Sequence, residues 1–157
     1  MKKINLEVFE ILKSKKLTIS FCESASAGAL SSFFSEIEGV SEVFKGALIT
    51  YSNEAKINIA KVDPQLIALH GAVSKEVAEA MSANTNKILK SDICISITGN
   101  ASNNVIENKN ACLYYVGITI IDKTYVYEIQ LDNFERNYNR FNIAWNALSK
   151  LNTILSA

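Results

Sequence analysis

The chain has 157 residues, 48% of them hydrophobic, and its sixteen basic side chains balance sixteen acidic ones. That length can bury one sizeable core in a single domain spanning 1–157, and zero net charge offers no field to hold a duplex or an anionic membrane. Nucleic acid is therefore not an expected partner, and no segment approaches the ~20 apolar residues that span a bilayer.

Cys22, Cys94 and Cys112 are odd in number and set in or beside apolar runs. This pattern predicts buried thiols rather than a disulfide framework or a metal site. The first twenty residues carry Lys2, Lys3, Lys13, Lys15 and Lys16 and no apolar run of signal-peptide length, so the expected compartment is the cytoplasm. No cofactor is expected. Of the basic residues only Arg136 and Arg140 are arginines.

Ile4, Val8, Ile11 and Leu12 recur at helical spacing, and Leu17 to Cys22 alternates as a strand does. Small residues take over from Ser24 to Gly28, and Ala29, Leu30, Phe33 and Phe34 predict a helix starting tightly against the strand's end. Val43 to Tyr51 reads as a strand, Asn53 to Ala60 as a short helix, and Pro64 opens a further helical turn. His70 falls in a loop before Gly71.

Ser74 is the expected N-cap of a long helix that runs to about Lys90 with Val77, Met81 and Ile88 on one side. Ile93, Ile95 and Ile97 alternate in a strand ending at Thr98-Gly99, and an asparagine-rich loop occupies 100–110. Strands from Cys112 to Ile121 and Thr124 to Leu131 form a hairpin through Asp122-Lys123. In the closing helix Phe134, Tyr138, Phe141, Trp145 and Leu148 advance by four, three, four and three. They form one stripe, expected to bury on the sheet or against a second subunit. Strands interspersed with helices imply a three-layer α/β/α domain with a mixed sheet.

A catalytic serine needs exposure, a base and donors for the oxyanion on the attacked carbonyl. Ser24 sits where a strand turns into a helix, where N–H groups of residues 25–28 would be unpaired and aimed at a ligand; alternatively Ser24 or Ser26 caps that helix. His70, the single histidine, is one candidate base, though a lone loop histidine is usually a surface residue. A lysine of lowered pKa is the other, with a tyrosine beside it to relay or orient the proton. Tyr51-Ser52-Asn53-Glu54-Ala55-Lys56 carries both groups at a strand–helix junction.

Five separated segments are collectively similar to one family: Glu23-Ser24-Ala25-Ser26-Ala27-Gly28, Gly46 through Lys56, Gly71-Ala72-Val73-Ser74, Thr98-Gly99, and Arg136 with Arg140. The chain thereby resembles the CinA C-terminal domains, or nicotinamide-nucleotide amidohydrolases, over nearly its whole length. The resemblance implies Ser24 as nucleophile, Lys56 as base and Tyr51 as proton relay or orienting group. It implies a metal-free reaction in which nicotinamide mononucleotide becomes nicotinic acid mononucleotide and ammonia through an acyl-enzyme. Glu23, Ser26, Gly28, Thr98, Gly99, Arg136 and Arg140 are the residues it suggests for substrate or phosphate, and it suggests a homodimer or higher oligomer. The other reading is a non-catalytic relative that binds a nucleotide or a protein, in a competence or DNA-damage role.

The chain departs from the family's pattern at several points. Ala25, Ser26 and Ala27 stand for its cysteine, threonine and first glycine; the glycine-rich stretch after Thr98-Gly99 gives way to asparagines; and Phe134-Glu135-Arg136 replaces G-D-R. If position 27 needs φ > 0, an alanine there is strained.

Overall fold

The structure, a computed structural model, describes residues 3–102, 104–132 and 135–157. Lys2, Asn103 and Phe134, each part of an expectation above, lie outside them.

The elements run α1 (Ile4–Lys15), β1 (Ile19–Glu23), α2 (Ala29–Phe34), β2 (Phe44–Ile49), α3 (Asn53–Asn58) and α4 (Pro64–His70). They continue with α5 (Lys75–Ile88), β3 (Ile93–Gly99), β4 (Leu113–Ile120), β5 (Lys123–Gln130) and α6 (Arg136–Leu155). One five-stranded sheet has the order β2-β1-β3-β4-β5. β1 pairs parallel with β2 and β3, and the β3–β4 and β4–β5 pairs are antiparallel. The sheet is mixed and lies between two helical layers, as expected.

Local chemistry accounts for most boundaries. Asp63 caps α4 by accepting from Gln65 N–H, with Pro64 opening the helix where its missing N–H costs nothing. Ser74 accepts from Val77 N–H at 3.3 Å, so the cap expected there is present. Ser52 caps α3 through Ala55 N–H.

The two faces of the sheet are built differently. Ile19, Phe21, Ile93, Ile95, Ile97, Val116 and Ile118 share one buried cluster with side chains of α1, α2 and α6. Phe21, Phe34 and Phe44 meet there with ring centroids 5.0–5.9 Å apart. The opposite face is smaller and hydroxyl-rich. Ser96 Oγ donates to Ala78 O at 2.6 Å, and Ser82 Oγ lies 2.8 Å from Thr119 Oγ1. A Cβ on Gly117 would stand 2.5 Å from Ala78 O, so only glycine lets α5 lie this close to β4.

Several expectations need correction. His70 ends α4 rather than lying in a loop, because Gly71 at φ +79 is where the helix stops. Ile88 is exposed, since α5 ends as it leaves the sheet. The hairpin turns on Ile121-Asp122, one residue earlier than expected: Ile120 pairs with Lys123, leaving Ile121 at φ +58, an uncommon state for a β-branched residue. The aromatic stripe of α6 does not bury on the sheet. Tyr138, Phe141 and Trp145 are 58%, 38% and 48% exposed, while Ile143, Ala144, Ala147, Leu148 and Leu151 face the core. At ~100° per residue, Arg136 and Arg140 lie on the side of Ala144, Ala147 and Leu151. The arginines therefore continue the core face beyond the core, out over the sheet's end.

Candidate active site

The connection from β1 to β2 carries α2 on one face of the sheet, and the chain then crosses β1's other face through α3, α4 and α5 to reach β3. Ligands of such sheets bind at the carboxyl ends of strands where the connections diverge. Ser24 follows β1 directly, Thr50 and Tyr51 follow β2, and Gly99 ends β3. A cavity of about 320 Å³ opens there, lined by Ser24, Tyr51, Asn53 and Lys56, by Ala72 and Val73, and by Gly99 to Ser102, Ile106 and Arg136. The serine, tyrosine and lysine expected to act together thus share one pocket.

Lys56 is the least ordinary group in it. Only 2% of the residue is exposed, and its Nζ makes a long 3.4 Å hydrogen bond to Tyr51 O. Burial lowers its pKa below the usual lysine value of 10.5, opposed by Cys22, when that thiol is ionised, and by the carboxylate of Glu107. An amine so placed surrenders its proton more readily than a solvated lysine. Beneath it, burial raises the Cys22 thiol, which lies 3.5 Å from Thr50 Oγ1. Cys22 is thus held as a thiol and is a poor nucleophile.

Ser24 is 5% exposed, and its own N–H is tied to Ile97 O at 2.9 Å. The turn after it is more saturated than the sequence suggests. Ala27 N–H donates to Ser24 O and Ala29 N–H to Ser26 O, while Gly28, Leu30 and Ser31 donate to Glu23. Among the described residues the N–H groups of Ala25 and Ser26 have no partner within the turn.

Glu23 was expected near the substrate, and the structure puts its carboxylate elsewhere. It is fully buried and accepts five hydrogen bonds, from Ser26 Oγ, Gly28 N, Leu30 N, Ser31 N and Ser31 Oγ, at 2.6–3.2 Å. The cap of α2 is therefore this carboxylate rather than a serine. Ser26 likewise points inward, and Gly28, at φ +99, gives its N–H to Glu23. Thr98 is buried and donates to Ala72 O at 2.7 Å, fixing the 71–74 turn instead of facing a ligand. Gly99 does line the pocket, and a Cβ there would lie 2.3 Å from the Tyr114 ring.

The arginines divide their work. Arg136 Nη2 donates to the Tyr51 hydroxyl at 2.8 Å and lines a second cavity of about 350 Å³ with Ala25, Ala27, Glu135, Asn137 and Arg140. Arg140 is spent on backbone: Nε donates to Ser26 O at 3.1 Å and Nη2 to Ala27 O at 3.5 Å, with Nη1 on Asn137. Ala27 has φ +48, so the strain foreseen for a side chain at this position is present. His70 lines a separate cleft, 3.9 Å from Glu76 and apart from Ser24.

One residue of the pocket wall, Asn100, and one beside it, Glu107, were not foreseen. Asn100 is buried, and its amide donates to the carbonyls of Asn104, Lys109 and Asn110 while Oδ1 accepts from Ser102 N–H. It stands in for the missing glycines by knitting the loop from inside. Glu107 reaches Ala72 N–H at 3.0 Å. The surplus of asparagine in 100–110 was the available signal for the first; a contact across 35 residues leaves none for the second.

Among the described residues no helix is long and apolar enough to cross a membrane. The model of the CinA C-terminal domain matches residues 1–155. A CinA-like protein of Petrotoga mobilis is 42% identical over 98 residues, 62% of this chain and 24% of that protein. A protein of Listeria monocytogenes named as competence-damage inducible is 37% identical over 137 residues, 85% of this chain and 32% of its own. The chain thus spans about a quarter to a third of the curated relatives it matches. The crystal structure of a competence damage-inducible protein from Klebsiella pneumoniae superposes with a TM-score of 0.94 at 21% identity, over 98% of this chain and 95% of that one. One from Enterobacter asburiae gives 0.94 at 22%, over 99% of each. At these identities the structural match speaks for the fold.

Proposed function

Because the chain belongs to the family of CinA C-terminal domains, we propose that its pocket hydrolyses a carboxamide, with nicotinamide mononucleotide as substrate and nicotinic acid mononucleotide and ammonia as products. The observation that carries this reading is a buried lysine of lowered pKa in the same cavity as Ser24 and Tyr51. Ser24 Oγ attacks the amide carbon as neutral Lys56 takes its proton, and the carbonyl oxygen becomes an oxyanion. The Ala25 and Ser26 N–H groups are the donors suited to receive that charge. Collapse breaks the C–N bond, and the proton on Lys56 passes to the leaving nitrogen as ammonia. Water then cleaves the acyl ester by the same proton path, releasing the acid and restoring Ser24.

Tyr51 supports the transfer because Arg136 donates to its phenol oxygen, leaving the phenol's own proton available to donate. Arg136, between the two cavities, suits the phosphate end of the substrate. Arg140 acts on the turn. Ammonia release from nicotinamide mononucleotide is the test: Ser24→Ala and Lys56→Met should each lower it by about a thousandfold or more. Full activity in either variant would remove that residue's role. Activity should climb with pH as the amine deprotonates, with an inflection below 10.5. A fall in activity over the same limb would contradict a lysine base.

The second reading, a relative that binds a nucleotide without turnover, draws on Ala27 at φ +48 in the serine's turn. Titration with nicotinic acid mononucleotide separates the two: binding with no ammonia release favours it. Self-association belongs to the same proposal and is assigned to the stripe of Tyr138, Phe141 and Trp145. Light scattering of Trp145→Glu should show a smaller particle than the parent protein, and an unchanged mass would exclude that face.

A further inference from the structure

Glu107 has no counterpart in the serine–tyrosine–lysine scheme, yet its placement is costly. Glu107 and Asn108 have φ +53 and +59, and they form a two-residue turn closed by Ile106 N–H to Lys109 O at 3.2 Å and Lys109 N–H to Ile106 O at 2.7 Å. Two consecutive non-glycine residues at positive φ are unfavourable unless surroundings hold them. What this turn achieves is to send the Glu107 side chain across to the 71–74 turn, where its Oε2 accepts from Ala72 N–H at 3.0 Å.

The receiving side is shaped for it. Gly71 has φ +79, and a Cβ there would stand 2.6 Å from Glu107 Oε2, so a side chain at 71 would push the carboxylate from its place. Ala72 is held from behind as well, since its carbonyl accepts from Thr98 Oγ1 at 2.7 Å. One residue is thus gripped through both of its peptide groups, by the end of β3 and by the far loop. Ile106, next to Glu107, and Ala72 and Val73, next to Gly71, line the cavity that holds Ser24, Tyr51 and Lys56. With Ala101 they supply the apolar lining of that cavity outside the Ser24 turn.

We propose that Glu107 is a positioning residue of this site: by accepting from Ala72 N–H it latches the 104–110 segment to the 71–74 turn and so sets the distance between the apolar walls that receive the substrate's ring. The proposal rests on the pocket being the substrate site. It makes the fit of substrate depend on a charge-assisted hydrogen bond between two turns that lie 35 residues apart in the chain. The same carboxylate also acts against the effect of burial on Lys56, so it couples the wall to the lysine.

Amide hydrogen exchange on the full chain tests the latch without reference to turnover. Glu107→Ala should speed exchange in peptides covering 70–74 and 104–110 by about tenfold or more, and Glu107→Gln, which keeps an acceptor, should stay within a few-fold of the parent. Equal exchange in Glu107→Ala and parent overturns the proposal, whether or not the protein hydrolyses nicotinamide mononucleotide. Kinetics then separate positioning from a general structural role. Glu107→Ala should raise KM for nicotinamide mononucleotide about tenfold with a smaller loss in kcat, and Glu107→Gln should restore KM. A loss confined to kcat, or no recovery with glutamine, also overturns it. If the parent releases no ammonia, the amidase reading fails and the exchange result alone decides the latch.

Discussion

Each of two carboxylates organises one wall of the same pocket, and they do so in opposite ways. Glu23 is fully buried at the end of β1 and gathers five donors within eight residues, so the turn that presents Ser24 is over-determined. Glu107 reaches across 35 residues to one N–H from a turn of two strained residues. The first wall holds Ser24, the proposed nucleophile, and tolerates no play. The second holds apolar contacts, where some adjustment lets a ring enter and leave. The contrast teaches that a site can place its rigidity where bonds are made and its freedom where shape is read.

Removing the first carboxylate should have the largest effect on this contrast. Glu23→Ala leaves three backbone N–H groups and two hydroxyls without their acceptor and should cost roughly 3 kcal/mol or more, lowering the melting temperature by about 10 °C. A loss below about 1 kcal/mol would mean that the turn holds itself. Arg140→Ala should cost about 1 kcal/mol, because Arg140 supports the same turn from α6 through Ser26 O and Ala27 O. Its KM for nicotinamide mononucleotide should change less than that of an Arg136→Ala variant; the reverse order would reassign the phosphate to Arg140. The smallest expected effect is a gain. Ala27→Gly relieves a side chain at φ +48 and should stabilise by about 1 kcal/mol in denaturant unfolding, leaving the Glu107 wall untouched.

How much of this was legible follows the same division. α1, β3 and the Ser74 cap could be read because periodicity and capping are local signals, and they appear where expected. For the closing helix, one of the two places expected for the aromatic stripe, on the sheet, is not where it lies. Aromatic bulk suggested the buried side, but Ala144 and Ala147 let α6 lie close to the sheet, so Tyr138, Phe141 and Trp145 turn outward. Glu23 was visible as a motif residue, but a carboxylate beside a candidate nucleophile looks like a ligand group until its hydrogen bonds are known. Thr98 misled in the same way. Glu107 and Asn100 left only a compositional trace, because what they do depends on which distant backbone they reach.

The narrow spacing on the hydroxyl-rich face of the sheet has a consequence for the pocket. With Gly117 beneath Ala78 and Ser96 bonded to the same helix, α5 rests on β3 and β4 like a part seated against a machined stop. The height of its first turn, and with it the peptide at Ala72, is therefore set by the thickness of small side chains. An added methyl group at 117, outside the cavity's lining, would shim that first turn upward and widen the opening beside it.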